Sequence, residues 1–343
     1  MTATATNERF LVTGALGCIG AWTVRALVAE GVPVVAFDLG SDPRRLRLIM
    51  TDDELAAVTF VRGDITELAS VEAALDDQAI TNVIHLAALQ VPFCRADPPL
   101  GALVNVVGTV NVFEAVKRRA ERIGPIIYTS SIGMYATDDA DLATGHLEEG
   151  ATAHPLNHYG VYKLANEGNA RVYWLDDQVS SIGLRPMTVY GVGRDQGMTS
   201  GPTKAIAAAV LGVPYTIGFG GSTLFQYADD VARTLLAASR SGLTGANVFN
   251  LGGSIASMPQ LVETIETVVP EARGLITFEP APLPFPAKID HAELAAIGPV
   301  PVTPFADGVA ASAAIYRDLS RRGLLVAAEQ GLEPPTTGIA TAV

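Results

Sequence analysis

The sequence predicts an α/β fold whose core is a doubly wound parallel sheet. From Phe10 onward, short apolar runs rich in β-branched residues alternate with longer segments of helical periodicity. These runs need not alternate between polar and apolar residues, because helices cover both faces of such a sheet. The predicted strands are residues 10–13, 34–37, 59–61, 83–86, 126–129, 181–184 and 247–251, and the predicted helices are 19–30, 70–76, 100–122, 156–175, 229–239 and 258–268.

The predicted helix 156–175 carries an apolar stripe. Its apolar or small residues recur at intervals of three and four, so they share one helix face. We expect this face to be turned inward. The residues are Val161, Leu164, Ala165, Gly168, Val172 and Leu175.

Length and composition exclude several classes of protein. The chain has 343 residues, of which 49% are hydrophobic and 17% charged, values far from those of a disordered chain. The formal net charge of −13 repels phosphate backbones, and no block of lysine or arginine reverses it locally, so we expect no nucleic-acid partner. The longest apolar stretches are too short to cross a bilayer, so we expect no membrane partner.

Cysteine and histidine content argues against disulfide and metal sites. Cys18 and Cys94 are too few for a disulfide framework or a cysteine zinc site. Residues 1–9 lack the apolar core of a signal peptide, so we expect a cytoplasmic protein. His154 and His158 stand four residues apart, but no third ligand accompanies them, so we expect no metal.

A glycine-rich turn, TGALGCIG at residues 13–20, follows the first predicted strand and opens the first helix. One glycine lets the chain bend sharply, and another lets a pyrophosphate approach the helix N-terminus, whose free N–H groups and dipole favour an anion. The last glycine permits close packing of helix on sheet. In this context the turn predicts a dinucleotide site, and the expected contacts are Gly14, Gly17, Cys18, Ile19 and Gly20.

Asp38 ends the second predicted strand, 18 residues after Gly20, near the spacing of an acid that binds an adenosine ribose. Its carboxylate can accept hydrogen bonds from a 2′-hydroxyl and would repel a 2′-phosphate. The sequence therefore favours NAD over NADP. Arg44 and Arg45 leave the alternative open, because a loop that folds back could bring either to a 2′-phosphate.

Two regions are expected along the chain. After Arg185-Pro186, segments broken by Gly and Pro replace the regular strand and helix pattern, and 247–251 returns to the main sheet. We predict an NAD-binding Rossmann domain over residues 1–185 plus 247–251. A smaller, discontinuous substrate-binding region would span 186–246 plus 252–323, and residues 324–343 would form a loose tail.

Tyr159 and Lys163 stand four residues apart, so both side chains lie on one helix face. A phenol is a poor base at neutral pH, but a neighbouring ammonium stabilises its phenolate. Upstream, Ser131 follows the fifth predicted strand, at the sheet edge where ligands of open α/β folds bind. Taken alone, such a Tyr-Lys pair also fits a surface pair and such a serine also fits a turn cap. Because the three signals coincide, they favour a site for proton transfer, with Ser130 as a weaker substitute for Ser131.

These motifs resemble those of the extended short-chain dehydrogenase/reductase superfamily, the NAD-dependent epimerase/dehydratase family. The resemblance spans roughly residues 9–325. Its motifs, in order, are TGALGCIG, Asp38, Gly63-Asp64-Ile65, His85-Leu86-Ala87-Ala88, Asn105, Ser131, the pair Tyr159 and Lys163, and Leu184-Arg185-Pro186.

The resemblance implies which residues bind the cofactor. Asp64 and Ile65 would face the adenine. Leu86, Ala87 and Ala88 would face the ribose and phosphate region, and Pro186 to Val189 the nicotinamide, with Asn105 as a further cofactor-site residue. Family members commonly dimerise through the helices around 100–122 and 156–175, so the resemblance also implies a homodimer.

The resemblance further implies the catalytic roles. Tyr159, as phenolate, would remove the proton from a secondary alcohol of the substrate while hydride passes to the nicotinamide. Lys163 would lower the pKa of Tyr159 and hold the nicotinamide ribose. Ser131 would donate a hydrogen bond to the developing carbonyl oxygen.

Departures from the family's patterns narrow the chemistry. Ile132 and Gly133 stand where dehydratases of nucleotide sugars carry an Asp-Glu pair, and neither can move a proton, so we expect no dehydration. Thr223 stands where nucleotide-sugar epimerases place an arginine for the substrate diphosphate, so a nucleotide sugar is not the expected substrate. Residues 130–133 are locally similar to the short-chain type of L-threonine dehydrogenase.

We therefore predict an NAD-dependent oxidoreductase that oxidises a secondary alcohol of a small polar substrate, such as a sugar, a sugar acid or a hydroxy acid. One alternative is an NAD-dependent sugar epimerase that uses transient oxidation. Another is a non-catalytic NAD-binding sensor, against which the Tyr-Lys-Ser set argues. The predicted pocket wall comprises residues 90–94, Met134, Thr188 and part of 198–203, with Arg95 and Arg194 as candidate carboxylate ligands.

Overall fold

The structure is a computed structural model that describes residues 7–135 and 145–332. Its strands are β1 (Phe10–Thr13), β2 (Val34–Asp38), β3 (Val58–Arg62), β4 (Asn82–His85), β5 (Ile126–Thr129), β6 (His146–Leu147), β7 (Ser181–Arg185), β8 (Thr188–Tyr190), β9 (Tyr215–Ile217), β10 (Ser222–Tyr227), β11 (Ala246–Asn250), β12 (Ser254–Ser257), β13 (Ile276–Phe278) and β14 (Lys288–Ile289).

The α-helices are α1 (Cys18–Ala29), α2 (Arg44–Arg47), α3 (Asp52–Ala56), α4 (Leu68–Asp77), α5 (Val91–Ala96), α6 (Pro98–Ala102), α7 (Gly108–Lys117), α8 (His158–Asp177), α9 (Gly201–Leu211), α10 (Ala228–Arg240), α11 (Met258–Val268) and α12 (Phe305–Arg321). A π-helical segment, Leu103–Val107, joins α6 to α7. Single 3-10 turns occur at Ile132–Met134, Pro270–Ala272, Ala292–Ile297 and Ala328–Gln330.

Within the described residues, seven parallel strands form the central sheet in the order β11-β7-β5-β4-β1-β2-β3. All seven predicted strands are present, and each differs from its predicted bounds by no more than one residue. The strand order reverses between β4 and β1, and a crevice opens outside the carboxyl ends of parallel strands at such a point. The sheet therefore places a binding crevice next to the glycine-rich turn.

Helices cover both faces of this sheet. On one face α1 packs against α10, and on the other α4 and α8 pack against α7. The boundary differs here from the prediction, because α10 lies in the predicted substrate region yet contacts β4, β5 and β7. Its buried residues, Val231 and Leu235 among them, complete the layer that α1 begins, before the chain re-enters the sheet as β11.

The remaining elements form the smaller region. β10 pairs with β8 in parallel and with β12 in antiparallel orientation, and α9, α11 and α12 pack together beside them. The predicted loose tail begins differently: Leu325, Gln330 and Leu332 are buried, so residues 324–332 are packed against the rest of the chain. Residues 333–343 of that predicted tail lie outside the described residues.

Most of the predicted apolar stripe of α8 faces outward, contrary to the prediction, while Leu164 packs against the core. Val161, Val172 and Leu175 of the apolar stripe are 46%, 53% and 60% exposed. The buried side of the helix instead carries Lys163 and Asn166. The polar residues point inward because they contribute to an internal cavity and its supporting hydrogen bonds.

Helix Pro98–Lys117, which α6, the π-helical segment and α7 form together, is the one helix among the described residues long and apolar enough to span a bilayer. Its inner side belongs to the core, since Val112, Phe113 and Val116 are buried in the same cluster as residues of β1, β2 and β4. The apolar content of this helix is thus explained on one side by packing on the sheet.

Candidate active site

A cavity of about 930 Å³ lies along the carboxyl ends of the central strands. Its wall contains nearly all of the predicted site residues. These are Gly14, Gly17, Cys18, Ile19, Gly20, Asp38, Asp64, Ile65, Leu86, Ala87, Ala88, Ser131, Tyr159, Lys163, Pro186 and Val189. Their assigned roles stay predictions, but the fold brings them to one site.

The glycine-rich turn forms the floor of the cavity where α1 begins. Gly14 has φ +67°, and a Cβ there would lie 2.6 Å from the backbone nitrogen of Ala87, so only glycine fits. A Cβ on Gly20 would lie 2.3 Å from the Gly14 carbonyl oxygen. Among the described residues no side chain caps this helix, and its first turn carries no acid. The N–H groups at its start are therefore available to an anion.

Asp38 lies at the end of β2, where its carboxylate is fixed by two backbone donors. Leu16 N donates to Oδ2 and Gly40 N donates to Oδ1, each at 3.0 Å. A carboxylate has about four acceptor positions, so it can still accept from a ribose hydroxyl.

Arg44 and Arg45 do not point free side chains into the cavity. Both guanidinium groups bond to Asp195, on the segment that follows β8. The loop has folded back as the NADP alternative required, but the two positive charges are paired with a carboxylate.

Other predicted cofactor residues are held by the protein itself. Asp64 Oδ1 accepts from Thr66 N at 2.8 Å. Asn105 differs from the prediction, since it lies behind the cavity wall and is 1% exposed. Its side chain donates to Leu89 O at 2.9 Å and accepts from Leu89 N at 2.7 Å. Asn105 thus shapes the wall through the Leu89 backbone.

Cys18 is buried at the start of α1, and burial raises the pKa of its thiol to about 11. The thiol is therefore protonated at neutral pH, although Arg194 and Arg45 lower its pKa. Its chemistry is that of a small apolar residue beside the glycine-rich turn.

Tyr159 and Ser131 meet because α8 begins against the 3-10 turn Ile132–Met134. Asn157 caps the helix by accepting from Gly160 N at 3.0 Å. A Cβ on Gly160 would lie 2.3 Å from the Gly133 carbonyl oxygen, so this close approach requires glycine. It brings the Tyr159 ring beside Ser131, since a Cβ on Gly133 would lie 3.1 Å from Ser131 Oγ and 3.6 Å from Tyr159 Cε1. Ser131 Oγ accepts from Gly133 N at 3.0 Å.

The electrostatics of Tyr159 differ from the expectation. Burial raises the pKa of its hydroxyl, while the neighbouring Ser131 hydroxyl and the positive charge of Arg194 lower it. The lowering groups are thus Ser131 and Arg194, whereas the sequence argument assigned this effect to Lys163. Arg194 was predicted only as a carboxylate ligand.

Lys163 is 4% exposed and lies one helical turn beyond Tyr159. Its Nζ donates to Thr129 O at 2.6 Å and lies 5.6 Å from the centre of the Tyr159 ring. Burial lowers the pKa of the ammonium to about 8. The amine is close to Tyr159, but the strand end of β5 holds it.

Ser130 forms a hydrogen bond with Glu167, so its role differs from that of Ser131. Its Oγ donates to Glu167 Oε1 at 2.5 Å. Glu167 in turn forms a bidentate ion pair with Arg185, at 2.8 and 2.7 Å. This half-buried network ties α8 to β7, and no pattern in the sequence singled out Glu167.

The substrate end of the cavity overlaps the prediction in part. Residues of the predicted wall that line it are Gln90, Val91, Phe93, Thr188, Met198 and Thr199, joined by Arg194. Leu283 and Phe285 also line it and were missed, because they come from the distant segment before β14. Cys94 and Met134 are buried away from the cavity, and Arg95 is also absent from its wall.

No group of three or more His, Cys, Asp or Glu residues that could hold a metal occurs in residues 7–135 and 145–332. Buried His85 bonds through its two ring nitrogens to Thr13 Oγ1 and Thr109 Oγ1, at 2.7 and 3.0 Å. Burial lowers the pKa of His85 to about 3, so this ring is a neutral link beneath the site.

The sequence profile of the NAD dependent epimerase/dehydratase family matches residues 10–252. The chain belongs to this family. The UDP-glucose 4-epimerase of Mycolicibacterium smegmatis is 31% identical to it over 262 residues, which are 75% of this chain and 80% of that protein. The predicted family and its NAD dependence are confirmed.

Two solved structures have the same fold as this chain. MoeE5 in complex with UDP-glucose and NAD superposes with a TM-score of 0.75 at 28% identity, covering 92% of this chain and all of MoeE5. A partial consensus L-threonine 3-dehydrogenase superposes with a TM-score of 0.77 at 21% identity, covering 91% and 100% of the two chains. The second likeness shows the fold alone. The predicted Rossmann-type α/β fold is confirmed.

Proposed function

We propose that this protein is an NAD-dependent sugar epimerase, which oxidises a secondary alcohol transiently and then reduces the carbonyl. The observation that carries the proposal is that Tyr159 and Ser131 lie side by side at Gly133 and line the same cavity as the glycine-rich turn. Epimerisation ranks ahead of the net dehydrogenation favoured by the sequence, because the M. smegmatis relative is a 4-epimerase.

The residues of the cavity fit NAD. The uncapped start of α1 suits an anionic pyrophosphate, and Asp38 suits a ribose hydroxyl. The cavity volume of about 930 Å³ lies in the range of cofactor sites. When bound, NAD accepts hydride from a substrate carbon and can return it to either face of the carbonyl.

Tyr159 is the proposed acid and base. In the oxidation it takes the proton of the substrate hydroxyl, and in the reduction it returns that proton to the oxygen. Ser131 lies beside Tyr159 in the cavity and can donate to an oxygen that develops negative charge there. Arg194 supports the deprotonated tyrosine through its charge.

Dehydration is not part of the proposal. Ile132 is buried, and the Cα of Gly133 faces the Tyr159 ring so closely that a Cβ would lie 3.6 Å from its Cε1. Neither residue can protonate a leaving hydroxyl. The place next to the reacting group thus lacks an acid for elimination.

A net dehydrogenase of a small sugar acid or hydroxy acid is the second candidate, and Thr223 favours it. This residue is 1% exposed, and its Oγ1 bonds to Thr188 Oγ1 at 2.8 Å. A buried threonine cannot supply the arginine charge that a diphosphate would use at this position. A substrate without a nucleotide fits this observation better.

The two candidates are separated by their products. The protein would be incubated with NAD and, separately, UDP-glucose, UDP-glucuronate, free sugar acids and β-hydroxy acids. NMR would identify sugar isomers, and absorbance would report reduced nicotinamide. We expect an isomer without net accumulation of reduced nicotinamide. Stoichiometric reduced nicotinamide with no isomer would replace the proposal by the dehydrogenase, and neither product from any substrate would contradict both.

We also propose that two copies pair through α8 and the helix Pro98–Lys117. Leu100, Leu103 and Val107 of that helix are each 44–45% exposed; the first two also line the cavity, so Val107 is the residue whose exposure faces away from it. They accompany the exposed apolar stripe of α8, and apolar surface on neighbouring helices is typical of an interface between subunits.

A further inference from the structure

Two arginines and one aspartate form a closed cluster at the ribose end of the cavity. Arg44 donates to Asp195 Oδ2 at 2.5 Å, and Arg45 donates to Asp195 Oδ1 through Nε and a terminal nitrogen, at 3.0 and 2.8 Å. The arginines lie in α2, just after β2, whereas Asp195 follows β8. One carboxylate from a distant segment thus binds both guanidinium groups.

The cluster is largely removed from water. The Asp195 side chain is 4% exposed, and those of Arg44 and Arg45 are 25% and 18% exposed. Arg44 also donates to the main-chain oxygen of Glu329 at 2.5 Å. Salt screens attractions between partly buried charges less than attractions on the surface. The pairing of Asp195 with the two arginines therefore affects how strongly this end of the cavity attracts an ion.

The cluster is connected to Asp38 through one residue. Arg45 donates to Leu16 O at 3.0 Å, and Leu16 N donates to Asp38 Oδ2 at 3.0 Å. All four of Asp38, Arg44, Arg45 and Asp195 line the same cavity. The arginine charges therefore lie beside the acid that fits a ribose hydroxyl.

We propose that Asp195 is a selectivity residue that keeps the protein specific for NAD by occupying Arg44 and Arg45. Without this carboxylate, two guanidinium groups beside the ribose position would be free to bind a 2′-phosphate, because arginine recognises phosphate through paired hydrogen bonds. Asp38 supplies repulsion of the phosphate, and Asp195 removes the attraction. The proposal concerns cofactor choice and holds for an epimerase or a dehydrogenase alike.

Asp195→Asn tests the proposal by titration calorimetry with NADH and NADPH. The ratio of NADPH to NADH affinity should rise about tenfold, since a hydrogen bond between charged groups contributes roughly that factor. Arg47→Gln is the matched control, because Arg47 lies in the same helix but pairs with exposed Asp42 and does not line the cavity. It should leave the ratio unchanged.

Further variants separate selectivity from folding. Asp195→Asn with both Arg44→Gln and Arg45→Gln should return the ratio to the wild-type value. If Asp195→Asn alone does not fold, Asp195→Asn with Arg44→Gln removes one charge of each sign and leaves Arg45, and it should still raise the ratio. A folded variant of either kind whose ratio stays within twofold of wild type would overturn the proposal. This binding ratio needs no turnover, so its failure is distinct from failure of the proposed reaction.

Discussion

The two sides of α8 differ in a way that reverses the usual relation between polarity and burial. The inner side carries Lys163, Asn166 and the glycine that approaches the Ile132–Met134 turn, while the outer side exposes Val161, Val172 and Leu175. Asn166 is 2% exposed and donates to Asn105 O at 2.8 Å. The inner side is therefore stabilised by hydrogen bonds, whereas residues 7–135 and 145–332 leave the apolar outer side uncovered.

The difference shows that the periodicity of a helix identifies an apolar face without showing whether that face is buried. Burying an ammonium or an amide costs free energy unless it is hydrogen-bonded. The Lys163 ammonium and the Asn166 amide nitrogen each donate a hydrogen bond, while Asn166 Oδ1 has no partner among the described residues. The two groups are nevertheless buried here because Lys163 lines the polar cavity and Asn166 hydrogen-bonds to Asn105 behind its wall. We expect disruption of the inner side to affect chemistry and stability, and disruption of the outer side to affect assembly.

Tyr159→Phe should produce the largest effect. Removing the hydroxyl removes the proposed acid and base, so turnover should fall by about 10³-fold. NAD affinity, measured by calorimetry, should change little, because the ring remains in place. A variant that keeps more than a tenth of wild-type turnover would contradict the role of Tyr159.

Gly160→Ala should be next in size. A Cβ would lie 2.3 Å from the Gly133 carbonyl oxygen, so the helix start must shift, at a cost of about 2 kcal/mol in the free energy of unfolding. Turnover should fall too, because the shift separates Tyr159 from Ser131. Gly168→Ala on the outer side is the control. It meets no atom within 4 Å and should stabilise the helix slightly in denaturant titration.

Lys163→Met should change the pH dependence of stability. The pKa of Lys163 is lowered by burial to about 8 in the folded protein, below its ordinary value of 10.5. The stability contributed by the neutral amine is therefore fully present above pH 10.5 and is lost as pH falls through about 8. Between pH 8 and pH 9.5, wild type should gain about 1 to 2 kcal/mol relative to the variant. Urea titrations at both pH values measure this, and equal differences would show that the amine is not desolvated.

Leu175→Ser should have the smallest effect on the protomer. Leu175 is 60% exposed, so the free energy of unfolding should change by less than about 0.5 kcal/mol. The dimer should nevertheless dissociate more readily in sedimentation velocity experiments. Val302→Ser, at a position 57% exposed and outside both helices, is the control and should leave assembly unchanged. A wild-type chain that sediments as a monomer would exclude the proposed interface.

The sequence predicted the central sheet well because its strands are buried on both faces and read as short apolar runs. It also predicted the glycine-rich turn, Asp38, Ser131, Tyr159 and Lys163, since each follows a strand or shares a helix face at a fixed spacing. Short elements such as α2, α3 and β14 were missed because four or five residues, or two in β14, give little periodicity.

The parts of the site that could not be predicted depend on contacts between distant segments. Asp195 lies about 150 residues from the arginines it binds, and no local pattern links them. Leu283 and Phe285 reach the cavity from a segment without regular structure in the sequence pattern. The burial of the α8 stripe was predicted wrongly in part, because periodicity identifies an apolar face and cannot show what covers it.

The hydrogen bond between Arg44 and the main chain of Glu329 determines which changes near residue 329 the fold tolerates. Arg44 binds the main-chain oxygen of Glu329, which every amino acid offers, so side-chain replacements at this position keep the acceptor. A shortened chain that ends before it would instead lose the acceptor together with buried Gln330 and Leu332. Substitutions at residue 329 therefore keep this contact, whereas truncation before it removes the contact. A tag or fusion partner is better joined after residue 332.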